Sequence, residues 1–333
     1  MARRDGLPLP IPVTRRFADV PATDESTWQE HVVRHIGLPD WVRVEIGPGE
    51  LDVVGPLAQP HLRRFGVLWP PMIHADVPLL RHAWGGSLLD GEGGDEVLGT
   101  AAHRIAPLTA VLRSPRPLRR SRARSAFLAL APARTRARRT RGRWTDQAFS
   151  WMRPHAFEEL VLDPLAEEEQ IRPLSFSASV ERIPLRRTQV HMAENRRLMA
   201  EPYGARVSSP LLERSVVDAI AARGGFLGPG SRADVLRDIA SDLLPPAVIE
   251  RTTKAVFNDA YFGHHTRALA RGWPGTGIDT QLIDVDELRR AWLTERPPPM
   301  TWALVQAAWI GVHERAASGE PPHERPDVDE PGP

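Results

Sequence analysis

The first hundred residues alternate between two hydrophobic periods, and that alternation restricts the fold more than any other feature of the chain. "LPIPVTRRF" (Leu9–Phe17) reads as a short strand. "TDESTWQEHVVRHIGL" follows with Trp28, Val32, Val33 and Ile36 at helical spacing and Thr23 or Asp24 as N-cap. "WVRVEI" alternates as a strand, and "ELDVVGPLAQPHLRRFG" is helical in pattern despite its prolines. "LLRHAWGGSLLDGEGGDEVLG" then gives a helix end, a short apolar run over Ser87 to Leu89, and a glycine-rich turn. Strand and helix repeated in this order predict an α/β fold with a parallel sheet, because parallel neighbours need a crossover that a helix supplies.

At 333 residues and 41% hydrophobic content the chain can bury one large core or two modest ones. A formal net charge of +1 excludes attraction of the whole protein to nucleic acid, so any basic function must be local. With no cysteine, disulfides, thiolate metal sites and cysteine nucleophiles are excluded together, which fits a reducing cytoplasm. No stretch approaches the roughly 18 to 20 apolar residues of a membrane span, and "MARRDGLPLPIPV" is too short an apolar run for a signal peptide. A soluble cytoplasmic protein is expected, with no membrane partner.

Residues 1–112 are expected to form an α/β core and 113–150 a connector, since Arg113 to Arg143 holds twelve arginines and no acidic residue. That run reads either as a solvated, partly helical linker or as a groove wall for an anionic or extended substrate. A specific nucleic-acid site is disfavoured because a single aromatic residue, Phe127, is all that interrupts it before Trp144. Residues 151–318 are mostly helical in pattern, and 319–333, rich in Pro, Gly and charge, are expected to be a disordered tail. His264–His265 is not at metal-ligand spacing for a helix, and Glu158–Glu159 and Glu167–Glu169 read as solvated faces.

The sharpest chemical signal is "LLDGEGGDEVLG", Leu88 to Gly99. Gly91, Gly93 and Gly94 allow positive φ or close backbone approach to a phosphate, while Asp90, Glu92, Asp95 and Glu96 concentrate carboxylates in the same turn. Such a turn suits a Mg²⁺-nucleotide, because Mg²⁺ takes carboxylate oxygens and substrate phosphates together. A tight structural loop or a calcium-type loop would have the same composition.

The order of residues resembles the asparagine synthetase family. "DGEGGDEVLG" is similar to that family's Ser-Gly-x-Gly-Gly/Ser-Asp-Glu signature, "YGARVSSPLLERSVVDAIA" to its Gly-x-x-x-Arg-x-Pro-Phe-Leu-Asp segment, and "VLRDIASDLLPPAVIERTTKAVF" to its Leu-Pro…Arg-x-Lys-x-x-Phe segment. The resemblance implies an adenine-nucleotide α-hydrolase-like sheet of the PP-loop ATP pyrophosphatase type, with helices on both faces and additional C-terminal helices. It implies ATP and Mg²⁺ as cofactors, and a carboxylate activated as an acyl-adenylate before an amine attacks. Asp95 matches the magnesium aspartate, and Asp90 with Gly91 occupies the Ser-Gly pair that contacts ATP. Gly93, Gly94 and Val13 complete the implied nucleotide contacts, and Glu92 stands where the family forms the adenylate or deprotonates the amine. Lys254 matches the lysine that offsets charge on the phosphates and the tetrahedral intermediate; it is the only lysine beside 42 arginines. A compact ammonium that can exchange a proton is not replaced there by a guanidinium.

The chain departs from the family in ways that shape the expectation. It contains no Ser-Gly-Gly-x-Asp-Ser pyrophosphate loop, so Leu9 to Val13 is expected to be the family's second strand and adenylation by this chain alone to be weak or absent. No N-terminal cysteine marks a glutaminase domain. Ser208 stands where the family often has Arg, Arg206 where many synthetases have Glu, and Leu211-Leu212-Glu213 replace Phe-Leu-Asp. With "WPPMIH" (Trp69–His74), "WMRP" (Trp151–Pro154), the "RTTK" spacing and "LRRAWLTERPPPMTWALVQAAWI", the chain most resembles the lasso-peptide macrolactam cyclases. Their substrate is a precursor peptide, whose processing proteins would be further partners. The alternatives are asparagine synthesis from aspartate, and a non-catalytic homologue that binds a peptide or protein.

Overall fold

The computed structural model describes residues 5–17, 20, 23–113, 119–142, 149–253 and 255–318, the last four by backbone alone. The expected tail over 319–333 lies outside them. Strand β1 (Val13–Phe17) starts at Val13 rather than Leu9, because Pro10 and Pro12 have no N–H to give to a ladder. It pairs in parallel with β2 (Val42–Ile46), Val13 opposite Val42 and Phe17 opposite Ile46. Their crossover helix α1 (Ser26–Ile36) has Glu25 as N-cap rather than Thr23 or Asp24, although the Asp24 carboxylate accepts the Ser26 N–H at 2.9 Å. The helix expected over 50–66 forms only at its end, as α2 (Gln59–Phe65). Before it the chain turns, since a Cβ on Gly55 would lie 2.5 Å from the Gly49 carbonyl oxygen.

After a 3₁₀ turn over Ile73–Asp76 come α3 (Val77–His82), β3 (Ser87–Leu89) and α4 (Gly94–Val97). β3 does not join the first sheet. It pairs in parallel with β4 (Arg206–Ser208), Ser87 opposite Arg206 and Leu89 opposite Ser208. The expected parallel pairing is therefore present, but the single sheet with helices on both faces is not: among the described residues there are two two-stranded sheets. The reason is that β3 takes a partner more than a hundred residues later, leaving β1 and β3 with one strand neighbour each. Both sheets nonetheless pack onto one core, through Phe17 and Val44 on one side and Leu88 and Val207 on the other.

The remainder is helical: α5 (Ala106–Leu112), α6 (Arg120–Leu130), α7 (Ala133–Arg141), α8 (Pro154–Phe157), α9 (Asp163–Ile171), α10 (Phe176–Glu181) and α11 (Arg187–Ala200). Beyond β4 follow α12 (Arg214–Gly224), α13 (Arg232–Ala240), α14 (Pro246–Ile249), α15 (Asn258–Tyr261), α16 (His264–Gly272), α17 (Val285–Trp292) and α18 (Trp302–Ser318). The arginine-rich stretch is more than a solvated linker. Arg136 on α7 is 8% exposed and donates to the Ala131 and Glu169 carbonyls, with the Glu169 carboxylate 3.4 Å from its Nε. Glu169 also pairs with Arg172 at 2.8 Å, so this residue is an internal counter-charge and not part of a solvated face.

Two hydrophobic cores result. The larger joins the N-terminal α/β part to the last helices and buries Trp151, Trp273, Trp292, Trp302 and Trp309; the smaller gathers Val97 and Leu98 with Phe176, Val180, Val217 and Val235. Asp52, fully buried, ties the ends of the chain together. Its Oδ2 accepts the Gly263 and Thr266 N–H groups at 2.9 and 3.0 Å, and its Oδ1 accepts the Val54 N–H at 3.1 Å and the Thr266 hydroxyl. Gly263 is the N-cap of α16 and has no side chain, so a carboxylate from the other end of the sequence caps that helix. Asp52→Ala strands these donors without water and should cost on the order of 3 kcal/mol, read from urea unfolding. A loss under about 1 kcal/mol would show that the cap is dispensable.

Candidate functional site

β3 delivers the acidic turn to the rim of a cleft of about 470 Å³. The turn is built from its own sequence. The Asp90 N–H donates to the Ser208 carbonyl at 3.0 Å, ending the β3–β4 ladder, and Asp90 Oδ1 turns back to accept the Glu92 N–H at 3.0 Å. Gly93 then takes φ +84°, and a Cβ there would run into the Leu212 side chain. No other residue type fits both the angle and the contact. α4 starts at once, with the Val97 N–H on the Gly93 carbonyl at 2.8 Å.

His103 supports α4 from behind. Its Nε2 lies 2.8 Å from the Glu96 carbonyl, which can only accept, so Nε2 carries the proton and Nδ1 accepts from the Ser179 hydroxyl at 2.8 Å. Burial holds the ring below the ordinary histidine range and keeps it neutral, as that tautomer requires.

Five carboxylates line the cleft, Asp76, Asp90, Glu92, Asp95 and Glu96, against three guanidiniums, Arg15, Arg196 and Arg232. Arg196 of α11 is at the centre. Its Nη1 lies 3.0 Å from Asp90 Oδ2, its Nη2 3.3 Å from Glu92 Oε2 and its Nε 3.3 Å from Asp76 Oδ2. Burial pushes the Asp76 carboxyl up against the pull of Arg196 and Arg15. Glu92 is also raised, first by burial and then by Glu96 and Asp90, with Arg196 opposing. Arg15 anchors the opposite wall, its Nη1 donating to the Ala75 carbonyl at 2.9 Å.

The candidates read from the sequence converge here. Val13, Asp90, Gly91, Glu92, Gly93, Gly94 and Asp95 all line the cleft, whereas Lys254 lies outside the described residues. Sequence reasoning missed Arg196, Asp76 and Arg15. A signal for Arg196 existed: it stands four residues after Met192 and three before Met199, both buried, so an arginine occupies the apolar face of its helix. Its neighbour Arg197 is exposed and pairs with Glu194 on the same helix.

The family model for asparagine synthase matches residues 12–308, which takes in both sheets, the acidic turn, the smaller core and all but the last residues of the larger one. The chain belongs to the asparagine synthase family. No curated protein and no solved structure matches it. Asparagine synthase chemistry is ATP-dependent amide-bond formation. Among the described residues no three His, Asp or Glu side chains converge closely enough to hold a metal unaided. Mg²⁺ does not need that, since it binds through one or two carboxylates and draws its other oxygens from phosphates and water.

Two outcomes test this geometry. Because the folded state raises Glu92, it binds that proton more tightly than the unfolded chain, and the site loses stability as pH rises through the folded value. The stability of Glu92→Gln relative to the parent should therefore climb in thermal melts as pH rises above the ordinary glutamate value, and a flat difference would contradict the assignment. Gly93→Ala should lose at least roughly 1–2 kcal/mol, from the left-handed backbone alone.

Proposed function

We propose that this asparagine synthase family member closes a macrolactam: a side-chain carboxylate of a precursor peptide attacks the α-phosphate of ATP to give an acyl-adenylate and pyrophosphate, and the peptide's own α-amine then displaces AMP. The observation that carries this reading is the acid-rich, glycine-bearing turn at the carboxyl end of a parallel strand, the end at which open α/β sheets receive ligands. In this reading Asp95 holds Mg²⁺, and Gly91, Gly93 and Gly94 admit the phosphates close to the backbone. Glu92, poised above the usual carboxylate range, takes up a proton from the attacking amine. Lys254 offsets charge on the phosphates and the tetrahedral oxyanion, a role supported by the sequence resemblance alone.

A peptide substrate is favoured over free aspartate for two reasons. Arg206 reverses the charge at a position where the resemblance places Glu, and it is exposed on β4 opposite Ser87. Trp69, 48% exposed, has its carbonyl held at 2.9 Å by Asn195, the residue before Arg196, and offers an exposed aromatic surface. The basic wall of α6 and α7 would suit an extended acidic peptide.

A second reading, a homologue that binds a peptide without turning over, is supported by Asp90, which stands where the resemblance places a hydroxyl against ATP and whose carboxylate is taken up by the Glu92 N–H and Arg196. Pyrophosphate release measured with Mg·ATP and a candidate precursor peptide separates the readings. Slow release abolished by Lys254→Ala and by Asp95→Asn, with thermal melts unchanged, is the expected result. Peptide binding with no release at all favours the second reading, and asparagine made from aspartate and ammonia would overturn the peptide assignment.

A further inference from the structure

We infer that Arg196 is the positioning residue of the acidic turn, locking Asp90 and Glu92 to Asp76, and that residue 90 is an acid because it must meet this guanidinium. Three observations converge. The guanidinium is only 16% exposed and reaches carboxylates from two separate parts of the chain, Asp76 before α3 and Asp90 and Glu92 after β3. Asp90 divides its oxygens, Oδ1 accepting the Glu92 N–H and Oδ2 facing Arg196 Nη1. A serine has one neutral oxygen on a shorter side chain, and so lacks both the separately placed second acceptor and the charge that Asp90 offers Arg196. Glu92 is consequently held at each end, its backbone by Asp90 and its carboxylate by Arg196, three residues ahead of Asp95.

Charge explains why a guanidinium is required. Asp76, Asp90 and Glu92 would repel one another in a half-buried cleft, and a cation among them removes that repulsion. The planar fork sends separate N–H groups toward three acceptors, whereas an ammonium is a point charge on a flexible stem and fixes no relative orientation. The Nε contact with Asp76 is electrostatic, since that nitrogen makes no well-aligned hydrogen bond. Directed hydrogen bonding therefore runs to Asp90, where the turn is set.

The consequence for nucleotide binding rests on the ATP-dependent reading; the lock itself does not. A double-mutant cycle on the nucleotide-free full chain, with Arg196→Gln, Asp90→Ser and the pair, tests the lock by thermal melting. Each single change should lower the melting temperature, and the double variant should melt no lower than the worse single one. Losses that simply add would overturn the pairing. Calorimetric titration with Mg·ATP tests the positioning: Arg196→Gln and Arg196→Lys should both weaken affinity by about tenfold or more, the scale of outer-shell partners. Arg136→Gln, which removes a comparably buried arginine from α7, should lower stability and leave that affinity unchanged. Parent-like affinity in Arg196→Gln would refute the positioning role. If the parent protein binds no Mg·ATP, the nucleotide reading falls and the positioning for nucleotide with it, while the melting cycle still decides whether the lock exists.

Discussion

Asp52 accepts hydrogen bonds from residues 211 and 214 positions away, and the arrangement of the whole larger core follows from where it sits. Around it Leu51, Val53 and Val54 are buried in an irregular segment whose backbone groups need partners. They find them in distant elements: the Val53 N–H donates to the Tyr261 carbonyl, Gln306 of α18 donates to the Val53 and Pro71 carbonyls, and His74 meets the Leu51 carbonyl. A buried turn without those partners would be costly, so the N-terminal α/β part and the last helices have to close on each other. The cleft walls contributed by β1 and Asp76 are carried on that closed unit.

The second wall is carried differently. The acidic turn starts on a strand that packs into the larger core through Leu88, and it runs into α4, whose Val97 belongs to the smaller core. The turn thus spans the seam between two cores, held below by His103 and across the cleft by Arg196. Burial raises the Glu92 and Asp76 carboxyls and the guanidinium draws them down, and the balance leaves both above the ordinary carboxylate value.

Much of this was legible in the sequence where the governing contacts are local. The β1–α1–β2 crossover shows its periods directly, and the turn chemistry of Asp90 to Asp95 lies within six consecutive residues. The glycine at 93 is demanded by a backbone angle, which composition can signal, although the Leu212 side chain that also forbids a Cβ lies more than a hundred residues on. The helix expected before α2 was not realised because Gly55 approaches another backbone, a contact that periodicity does not encode. Glu169, read as solvated, is a partner of Arg136 because α7 folds onto α9. The tryptophans of the C-terminal segments follow apolar spacing and are core residues, while Trp69 and Trp84 stay exposed.

Sequence by itself determined the family, the parallel sense of strand pairing, and the residues that line one face of the cleft, because each depends on ordered residues close together in the chain. Only the tertiary structure decided that β3 pairs with β4 rather than extending the first sheet, and that Arg196 rather than its neighbour Arg197 meets Asp90 across 106 positions. Both decisions turn on which buried surfaces and charges find each other once two cores have closed. That is a property of packing, and no local period records it.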